Sequence, residues 1–185
     1  MRTLRFKWPV LAAALLGLHA LPAAAGNYSN LETSGDVLTA ALPITSFAIT
    51  YLKDDVDGRR EFLRSNAVSL ALTTVLRVGF NQTSLGERPN GNRYAFPSGH
   101  VAFITASAAF LQDRYGWKYG VPAYLAAGYV SWVRLENQHH RTRDVIAGAA
   151  VSIGVSKLCV TPFGATYIAP IIGPEWLGIR IERSF

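Results

Sequence analysis

Cysteine is almost missing from this sequence. The 185-residue chain has a single cysteine, Cys159, which lies in the apolar segment VSIGVSKLCV. A disulfide within the chain is therefore excluded, even in an oxidising compartment. Packing among apolar neighbours is the role that we expect for Cys159.

Charge is also scarce, and none of it is arranged for nucleic acid. Charged residues make up 16% of the chain and hydrophobic residues 50%, and the formal net charge of +6 includes no dense run of Lys and Arg. Beyond the N-terminal segment the surplus is concentrated between residues 87 and 144, where the basic residues are Arg88, Arg93, Arg114, Lys118, Arg134, Arg141 and Arg143. This local surplus suits an anionic substrate and predicts no nucleic-acid partner.

The N-terminal segment lacks acidic residues. Its sequence, MRTLRFKWPVLAAALLGLHALPAAAG, has a basic start, an apolar run and an ending of small residues. This order is typical of an export signal peptide, which we predict over residues 1–25. The alternative is an uncleaved first membrane helix, because the apolar run is nearly long enough to span a bilayer. Both interpretations bring the protein to a membrane, and residues 26–185 are predicted to form a single domain.

Long uninterrupted apolar runs are absent from the rest of the chain. Five mostly apolar segments alternate with polar loops, and none reaches the roughly 18 consecutive apolar residues of a clear membrane span; they are residues 36–52, 61–79, 98–115, 119–135 and 144–160. Their periodicity predicts an all-α fold, a compact bundle of about five to six helices. Each helix is compatible with a soluble core or with a short membrane span.

Two further features bear on the packing of this bundle. In the last helical segment, small residues are predicted to let a neighbouring helix approach closely; these are Ala147, Gly148, Ala150 and Gly154. After Thr161, prolines and glycines end the helical pattern. The C-terminal tail is therefore predicted to be short and irregular, although the alternation in WLGIRIERSF also allows a short strand.

The stretch PSGH, residues 97–100, combines the features of an anion site. Ser98 is placed to cap the helix that follows, and Gly99 would let a ligand approach the free backbone N–H groups around both residues. His100 falls in the first turn of that helix, where an imidazole can transfer a proton near neutral pH. The stretch thus predicts an anion bound beside a proton donor.

A second group of polar residues lies between residues 134 and 144. His140 and Asp144 are four positions apart, so a helix that begins near His139 would place both on one face. Asp144 would then fix the tautomer of His140 and leave the other ring nitrogen with a free lone pair. Asp144 is also suited to capping its helix, and His139 itself is expected at the surface.

Together these residues favour phosphoryl transfer. Arg88 and Arg134 can make bidentate contacts to phosphate oxygens, and the amides at the start of the PSGH helix supply further donors. We expect His140 to be the nucleophile and His100 to be the acid. The scheme requires no metal, since the histidines lack the spacing of a structural zinc site and the arginines would repel a cation.

The series R-P, P-S-G-H and R-x5-H-x3-D resembles the three-part signature of the type 2 phosphatidic acid phosphatase (PAP2) superfamily, which includes bacterial acid phosphatases and vanadium haloperoxidases. It is met by Arg88-Pro89, by residues 97–100, and by Arg134, His140 and Asp144. The resemblance spans residues 74–154 and suits small exported members. It implies a helical bundle, a phosphohistidine on His140, His100 as acid and then as base toward water, and neither metal nor cofactor.

The sequence departs from this signature at two positions. The family's first motif is usually K-x6-R-P, but Asn81 stands where the lysine would be. Arg77 lies about one helical turn further back, so we expect Arg77 to bind the phosphate across a local insertion in FNQTSLGE. Val133 stands where a serine commonly precedes the third-motif arginine, which removes one hydrogen bond to the phosphate.

These expectations define an exported phosphatase of the bacterial cell envelope. It would hydrolyse a phosphomonoester or a pyrophosphate, and a phosphorylated membrane lipid is favoured because short apolar helices surround the site. We expect it at the inner membrane with its active site facing the periplasm. The alternatives are a soluble periplasmic acid phosphatase that acts on small phosphoesters, a vanadate-dependent haloperoxidase, and a non-catalytic membrane scaffold.

Overall fold

Five helices make up most of the structure, a computed structural model that describes residues 28–164, 166–172 and 177–183. They are α1 (Tyr28–Leu52), α2 (Val56–Phe80), α3 (Gly99–Tyr115), α4 (Trp117–Glu136) and α5 (Thr142–Cys159). The predicted all-α bundle is confirmed. The predicted signal peptide, residues 1–25, lies outside the described residues.

Helix α1 begins earlier than predicted. The apolar pattern suggested a start at Asp36, because the preceding SNLETSG is polar, whereas the helix starts at Tyr28. The additional turns pack against the end of α4. A Cβ atom on Gly35 would lie 3.0 Å from Cγ1 of Val133, so the two helices are in close contact at this point.

Helix α3 is the centre of the bundle and contacts all four other helices. Its sequence, GHVAFITASAAFLQDRY, is rich in small residues, and most of its side chains are buried. Phe110 is fully buried and packs edge-on against Phe62 of α2, with ring centroids 5.1 Å apart. Burial of such a ring contributes about 1.5–3 kcal/mol. The central helix thus fixes the position of the residues at both of its ends.

Close packing between α3 and α5 depends on Gly148. A Cβ atom there would lie 2.6 Å from the backbone oxygen of Ser98, so glycine is required for α5 to reach the start of α3. The expected role of small residues is confirmed at this position. It does not extend to Gly154, which is exposed and whose Cβ position has no atom of the described residues within 4 Å.

The far end of α3 holds a buried group of ionic side chains, the distal cluster, formed by Arg114, Asp55, Glu61, Tyr115 and Thr161. Arg114 is 1% exposed and donates through Nε and Nη2 to both carboxylate oxygens of Asp55. Its Nη1 donates to the carbonyl (2.9 Å) and hydroxyl (3.0 Å) oxygens of Thr161. Burial alone would raise the pKa of Asp55, but hydrogen bonds, first of all from Arg114, hold it below its usual value.

Large apolar side chains are exposed on the outside of the bundle. Ile44 of α1, Leu125 of α4 and Leu158 of α5 are 70%, 70% and 88% exposed. Among the described helices, α1 is the one that is long and apolar enough, over Asn30–Leu52, to cross a membrane by length and composition. The same length and composition also occur in core helices of soluble proteins and in signal sequences. The surface is compatible with contact to lipid.

The C-terminal segment forms an antiparallel hairpin of two strands, β1 (Thr166–Ile172) and β2 (Leu177–Arg183). Thr166 pairs with Arg183 at one end and Ile172 with Leu177 at the other. The segment is therefore more regular than the irregular tail that we expected, and it agrees with the alternation of apolar and polar residues near the C-terminus.

Candidate active site

The start of α3 is built as the sequence predicts except at Ser98, whose backbone N–H is not free for a ligand and whose hydroxyl does not cap the helix. Ser98 is the N-cap residue and has an extended backbone conformation (φ −68°, ψ 116°). Its backbone N–H donates to the carbonyl oxygen of Asp144 over 2.9 Å, which joins α3 to the start of α5. Its hydroxyl makes no capping hydrogen bond and, although buried, has no partner among the described residues. A ligand could therefore use it.

His140 and Asp144 are neighbours, but they do not share a helix face as expected. Helix α5 begins at Thr142, so His140 belongs to the preceding loop. Asp144 Oδ2 accepts a hydrogen bond of 2.8 Å from the backbone N–H of Arg141, which confirms the capping role. The Nδ1 atom of His140 is 3.8 Å from the same oxygen, a distance for electrostatic attraction rather than for a hydrogen bond.

The imidazole of His140 is buried, and only 4% of the residue is exposed. Burial first, and then the charge of Arg88, lower the pKa of His140 to about 3. Arg77 and His100 act in the same direction, while a backbone hydrogen bond to Ala95 opposes them. At neutral pH the ring is therefore uncharged and keeps a free lone pair, the form that a nucleophile needs.

His100 lies in the first turn of α3 and is half-exposed. Its Nε2 atom is 3.6 Å from Oδ1 of Asp36. Burial and the charge of Arg134 lower the pKa of His100, while Asp36 raises it. The rings of His100 and His140 interact electrostatically. The structure thus brings together the two imidazoles that the sequence predicts in one site, and the half-exposed ring can exchange protons with water.

Arg77, in the last turn of α2, extends to the start of α3. Its Nη1 atom lies 2.8 Å from the position of a Cβ atom on Gly99, so the missing side chain of Gly99 makes room for the guanidinium. Its Nη2 donates to the carbonyl oxygen of Tyr94 over 3.1 Å. Burial, and then the charge of Arg88, lower the pKa of Arg77. Arg77 therefore lies with the other predicted residues.

Arg88 and Arg134 complete a trio of guanidinium groups with Arg77. Burial and the charge of Arg134 lower the pKa of Arg88, and Asp144 opposes them. Arg134 is 3% exposed, in the last turn of α4. The Nε atoms of all three arginines are buried and have no partner in the part of the chain that the structure describes. Open donors of this kind suit an anion.

The two departures from the expected signature have structural explanations. Asn81 follows α2, and its side-chain oxygen accepts a hydrogen bond of 3.0 Å from the backbone N–H of Tyr94. Its own carbonyl accepts from Arg93 over 3.2 Å, so Asn81 stabilises the loop that carries Arg88. Val133 is fully buried and packs against Gly35 of α1. Position 133 thus serves helix packing in this chain.

Three residues beside the site were missed by the sequence analysis. Asp36 accepts a hydrogen bond from Nη2 of Arg134. Glu32, one turn earlier in α1, is 3.8 Å from Nη1 of Arg134 and 3.0 Å from Nε2 of His139. His139, expected at the surface, has a side chain that is only 22% exposed. The spacing of four between Glu32 and Asp36 was the available signal, since it places both on one helix face.

The predicted site residues come from five parts of the chain and meet beside the start of α3; these parts are α2, the loop before α3, the start of α3 itself, the end of α4 and residues 140–144. The arrangement can hold a tetrahedral anion between guanidinium groups, with an uncharged imidazole as nucleophile and a second imidazole as proton donor. Within the described residues, no three His, Cys, Asp or Glu side chains gather as they would around a metal ion.

Comparisons with known proteins agree with the motifs. A family model described as the PAP2 superfamily matches residues 33–166. A lipid A 1-phosphatase of Helicobacter pylori is 29% identical over 125 residues, 65% of this chain and 64% of that protein. A lipid A 1-phosphatase of Porphyromonas gingivalis is 28% identical over 169 residues, 84% of this chain and 38% of that protein. This chain therefore spans less than two thirds of the length of both relatives.

Two further similarities extend this result. A lipid A 4'-phosphatase of Helicobacter pylori is 28% identical over 136 residues, 69% of this chain and 68% of that protein. The crystal structure of Aquifex aeolicus LpxE matches with a TM-score of 0.56 and 19% identity, over 78% of this chain and 93% of that chain. At this identity the structural match shows that the helical fold is shared.

Proposed function

Because this chain belongs to the PAP2 superfamily, we propose that it is a phosphatase that hydrolyses a phosphomonoester or pyrophosphate of a membrane lipid. One observation carries the proposal: the buried, uncharged imidazole of His140 lies with three guanidinium groups whose Nε atoms have no partner among the described residues. A neutral nucleophile surrounded by fixed positive charge is suited to attack an anionic phosphorus centre.

Substrate binding uses the donors that the fold leaves open. Arg77, Arg88 and Arg134 donate to the non-bridging phosphate oxygens, and the hydroxyl of Ser98 with the backbone N–H groups around Gly99 adds further donors. Because these groups are held by the protein before the substrate arrives, they stabilise the charge that builds up on the equatorial oxygens in the transition state.

In the first chemical step, a ring nitrogen of His140 attacks the phosphorus atom. The bond between phosphorus and the ester oxygen breaks, and protonated His100 gives its proton to that oxygen. The leaving group departs, as an alcohol from a phosphomonoester or as the lipid monophosphate from a pyrophosphate, and a phosphohistidine remains on His140. Asp144, 3.8 Å from Nδ1 of His140, stabilises the positive charge that the ring gains.

The second step returns the enzyme to its starting state. His100, now neutral, takes a proton from a water molecule whose oxygen attacks phosphorus. The bond between phosphorus and the His140 nitrogen breaks, and inorganic phosphate is released. No step in this scheme calls for a metal ion or a cofactor.

A lipid phosphate is the substrate class with the most support. The matched relatives are named as lipid A 1-phosphatases and a lipid A 4'-phosphatase, so the phosphate groups of lipid A are the first candidates. Exposed apolar side chains such as Leu125 and Leu158 would let the bundle contact lipid. On this basis we place the enzyme at the inner membrane of the cell envelope, with its site facing the periplasm.

The test is phosphate release by the full-length protein, purified in detergent. The substrates are lipid A, phosphatidic acid, a polyprenyl pyrophosphate and a soluble aryl phosphate, each with and without EDTA. We expect a lipid phosphate to be the best substrate, with turnover unaffected by EDTA. His140→Ala should lose activity by at least about 10³-fold, because the nucleophile is removed.

A matched control separates this loss from a folding defect. His139→Asn removes the neighbouring imidazole, which has no role in the scheme, and should retain activity within a few-fold of the unmodified protein. Retained turnover in His140→Ala would contradict the mechanism. A preference for the aryl phosphate, with activity in the osmotic-shock fluid, would instead favour a soluble acid phosphatase.

A further inference from the structure

Contacts between α1 and α4 that do not involve the site residues hold α1 beside the candidate site. Ser34 and the hydroxyl of Tyr129 share a hydrogen bond of 2.7 Å. Gly35 packs against Val133, where a Cβ atom would approach Cγ1 to 3.0 Å. These contacts bring the first turns of α1 close to the last turn of α4, and Asp36 follows directly in the sequence.

Asp36 contacts two groups of the proposed mechanism at once. Its Oδ1 atom accepts a hydrogen bond from Nη2 of Arg134 and lies 3.6 Å from Nε2 of His100. The Arg134 side chain is 4% exposed, and a guanidinium so deeply buried requires a counter-charge to stay in one geometry. The carboxylate therefore lies between a phosphate-binding arginine and the proton donor.

The charges that face His100 come from every element around it. Arg77 approaches from α2, Arg88 from the loop before α3, Arg134 from α4 and the His140 ring from the loop before α5. Asp36 approaches from α1. Among these groups Asp36 alone is an anion, so it alone favours the imidazolium form of His100.

We propose that Asp36 is a positioning residue of this enzyme: it holds Arg134 in place for the phosphate and keeps the His100 ring oriented and protonated for the first step. The inference rests on the proposed function, because it assigns Asp36 a task in that reaction. It adds to the three motifs a residue from a helix that lies outside all of them.

The chain offers a matched control one helical turn away. Glu32 also belongs to α1 and also approaches Arg134, at 3.8 Å from Nη1. Its closer partner is Nε2 of His139, at 3.0 Å, rather than His100. Glu32→Gln therefore removes a carboxylate that lies on the same helix and near the same arginine, but it leaves the anion beside His100 in place.

The experiment compares Asp36→Asn, Glu32→Gln and the unmodified full-length protein in detergent. The titration of the His100 imidazole is followed by NMR, with its signal assigned by means of His100→Asn. We expect His100 to titrate at lower pH in Asp36→Asn and at an unchanged pH in Glu32→Gln. Asp36→Glu keeps the charge and should restore the original titration of His100. This variant keeps the proposal testable if Asp36→Asn does not fold.

Kinetics with the best lipid substrate supply the second measurement. We expect kcat of Asp36→Asn to fall about tenfold, part of the roughly 10²–10⁴-fold that a general acid contributes, with KM unchanged or lower. The alkaline limb of its pH profile should move to lower pH. Glu32→Gln should leave that limb in place.

Two results would overturn the inference. An unchanged His100 titration in Asp36→Asn would show that the carboxylate does not act on the ring. An unchanged kcat with a lower KM would show that Asp36 merely competes with phosphate for Arg134. Absence of phosphatase activity in the unmodified protein would refute the proposed function instead, and the NMR titration would still decide whether Asp36 and His100 are coupled.

Discussion

Both ends of helix α3 carry buried arginines, but the two ends differ in the hydrogen-bond partners that they provide for the guanidinium groups. At the distal cluster, Arg114 is paired through Nε and Nη2 with Asp55 and through Nη1 with Thr161. At the start of the helix, Nε of Arg77, Arg88 and Arg134 has no partner among the described residues, and neither does the hydroxyl of Ser98. One end is complete without a ligand, and the other is not.

This difference separates structural charge from functional charge. A buried ion pair with all its hydrogen bonds made resists change, because the removal of one member leaves the other buried and unpaired. A buried donor without a partner costs free energy in the folded state, and it is retained where a ligand completes it. The basic surplus of residues 87–144 therefore has two parts, since Arg114 belongs to the distal cluster and not to the anion site.

The largest effect on stability is expected at the distal cluster. Arg114→Ala leaves Asp55 buried without its counter-charge, so we expect the free energy of unfolding to fall by about 3–5 kcal/mol. Denaturant unfolding followed by circular dichroism measures it, with the exposed Arg60→Ala as control. KM of the fraction that remains folded should not change. A loss below about 1 kcal/mol would contradict a structural role for the Arg114–Asp55 ion pair.

At the start of α3 we expect the opposite result, a large loss of activity with no loss of stability. Arg88→Ala removes a phosphate donor, so we expect kcat/KM to fall by about 10²–10³-fold. The free energy of unfolding should be unchanged or higher, because a buried donor without a protein partner and its repulsion from Arg134 are removed. Arg93→Ala in the same loop is the matched control for a general effect on the loop, because Arg93 donates to the carbonyl oxygen of Asn81 and has no role in phosphate binding, and it should lose much less activity. Equal losses in the two variants would contradict a specific role for Arg88.

The smallest effect is that of pH on catalysis, which reports on the two imidazoles at the start of α3. His140 must be uncharged, and its pKa is lowered to about 3, while His100 must be protonated, and its pKa lies below its ordinary value. We therefore expect kcat/KM to rise through about pH 3 and to fall again before pH 6.5 is reached. Initial rates across this range give both limbs. A maximum above pH 7 would contradict the assigned roles.

Much of this molecule follows from local sequence patterns. The five helices are visible in the spacing of apolar residues, and the PSGH, R-P and R-x5-H-x3-D motifs identify the residues that meet at the site. Arg77 could be found by counting back one helical turn from Asn81. These inferences succeed because helix periodicity and motif spacing are properties of the chain itself.

The parts that were missed depend on contacts between distant segments. The sequence places His140 and Asp144 on one helix face, but the start of α5 is set by hydrogen bonds at its first turn, and it falls at Thr142. The sequence predicts that Glu32 precedes the first helix and that Asp36 begins it, since the segment before Asp36 is polar and shows no apolar period. Their place beside the site follows from packing of α1 on α4, which no local pattern records.

Gly35 sets the distance between α1 and α4. A single methyl group added at this position would meet Val133 and push the two helices apart by a few tenths of an ångström. Asp36, its neighbour in the chain, would move with the backbone and away from the imidazole that it faces. If the proposed role of Asp36 holds, an uncharged substitution in the interface between α1 and α4 would therefore lower turnover without contact to the substrate.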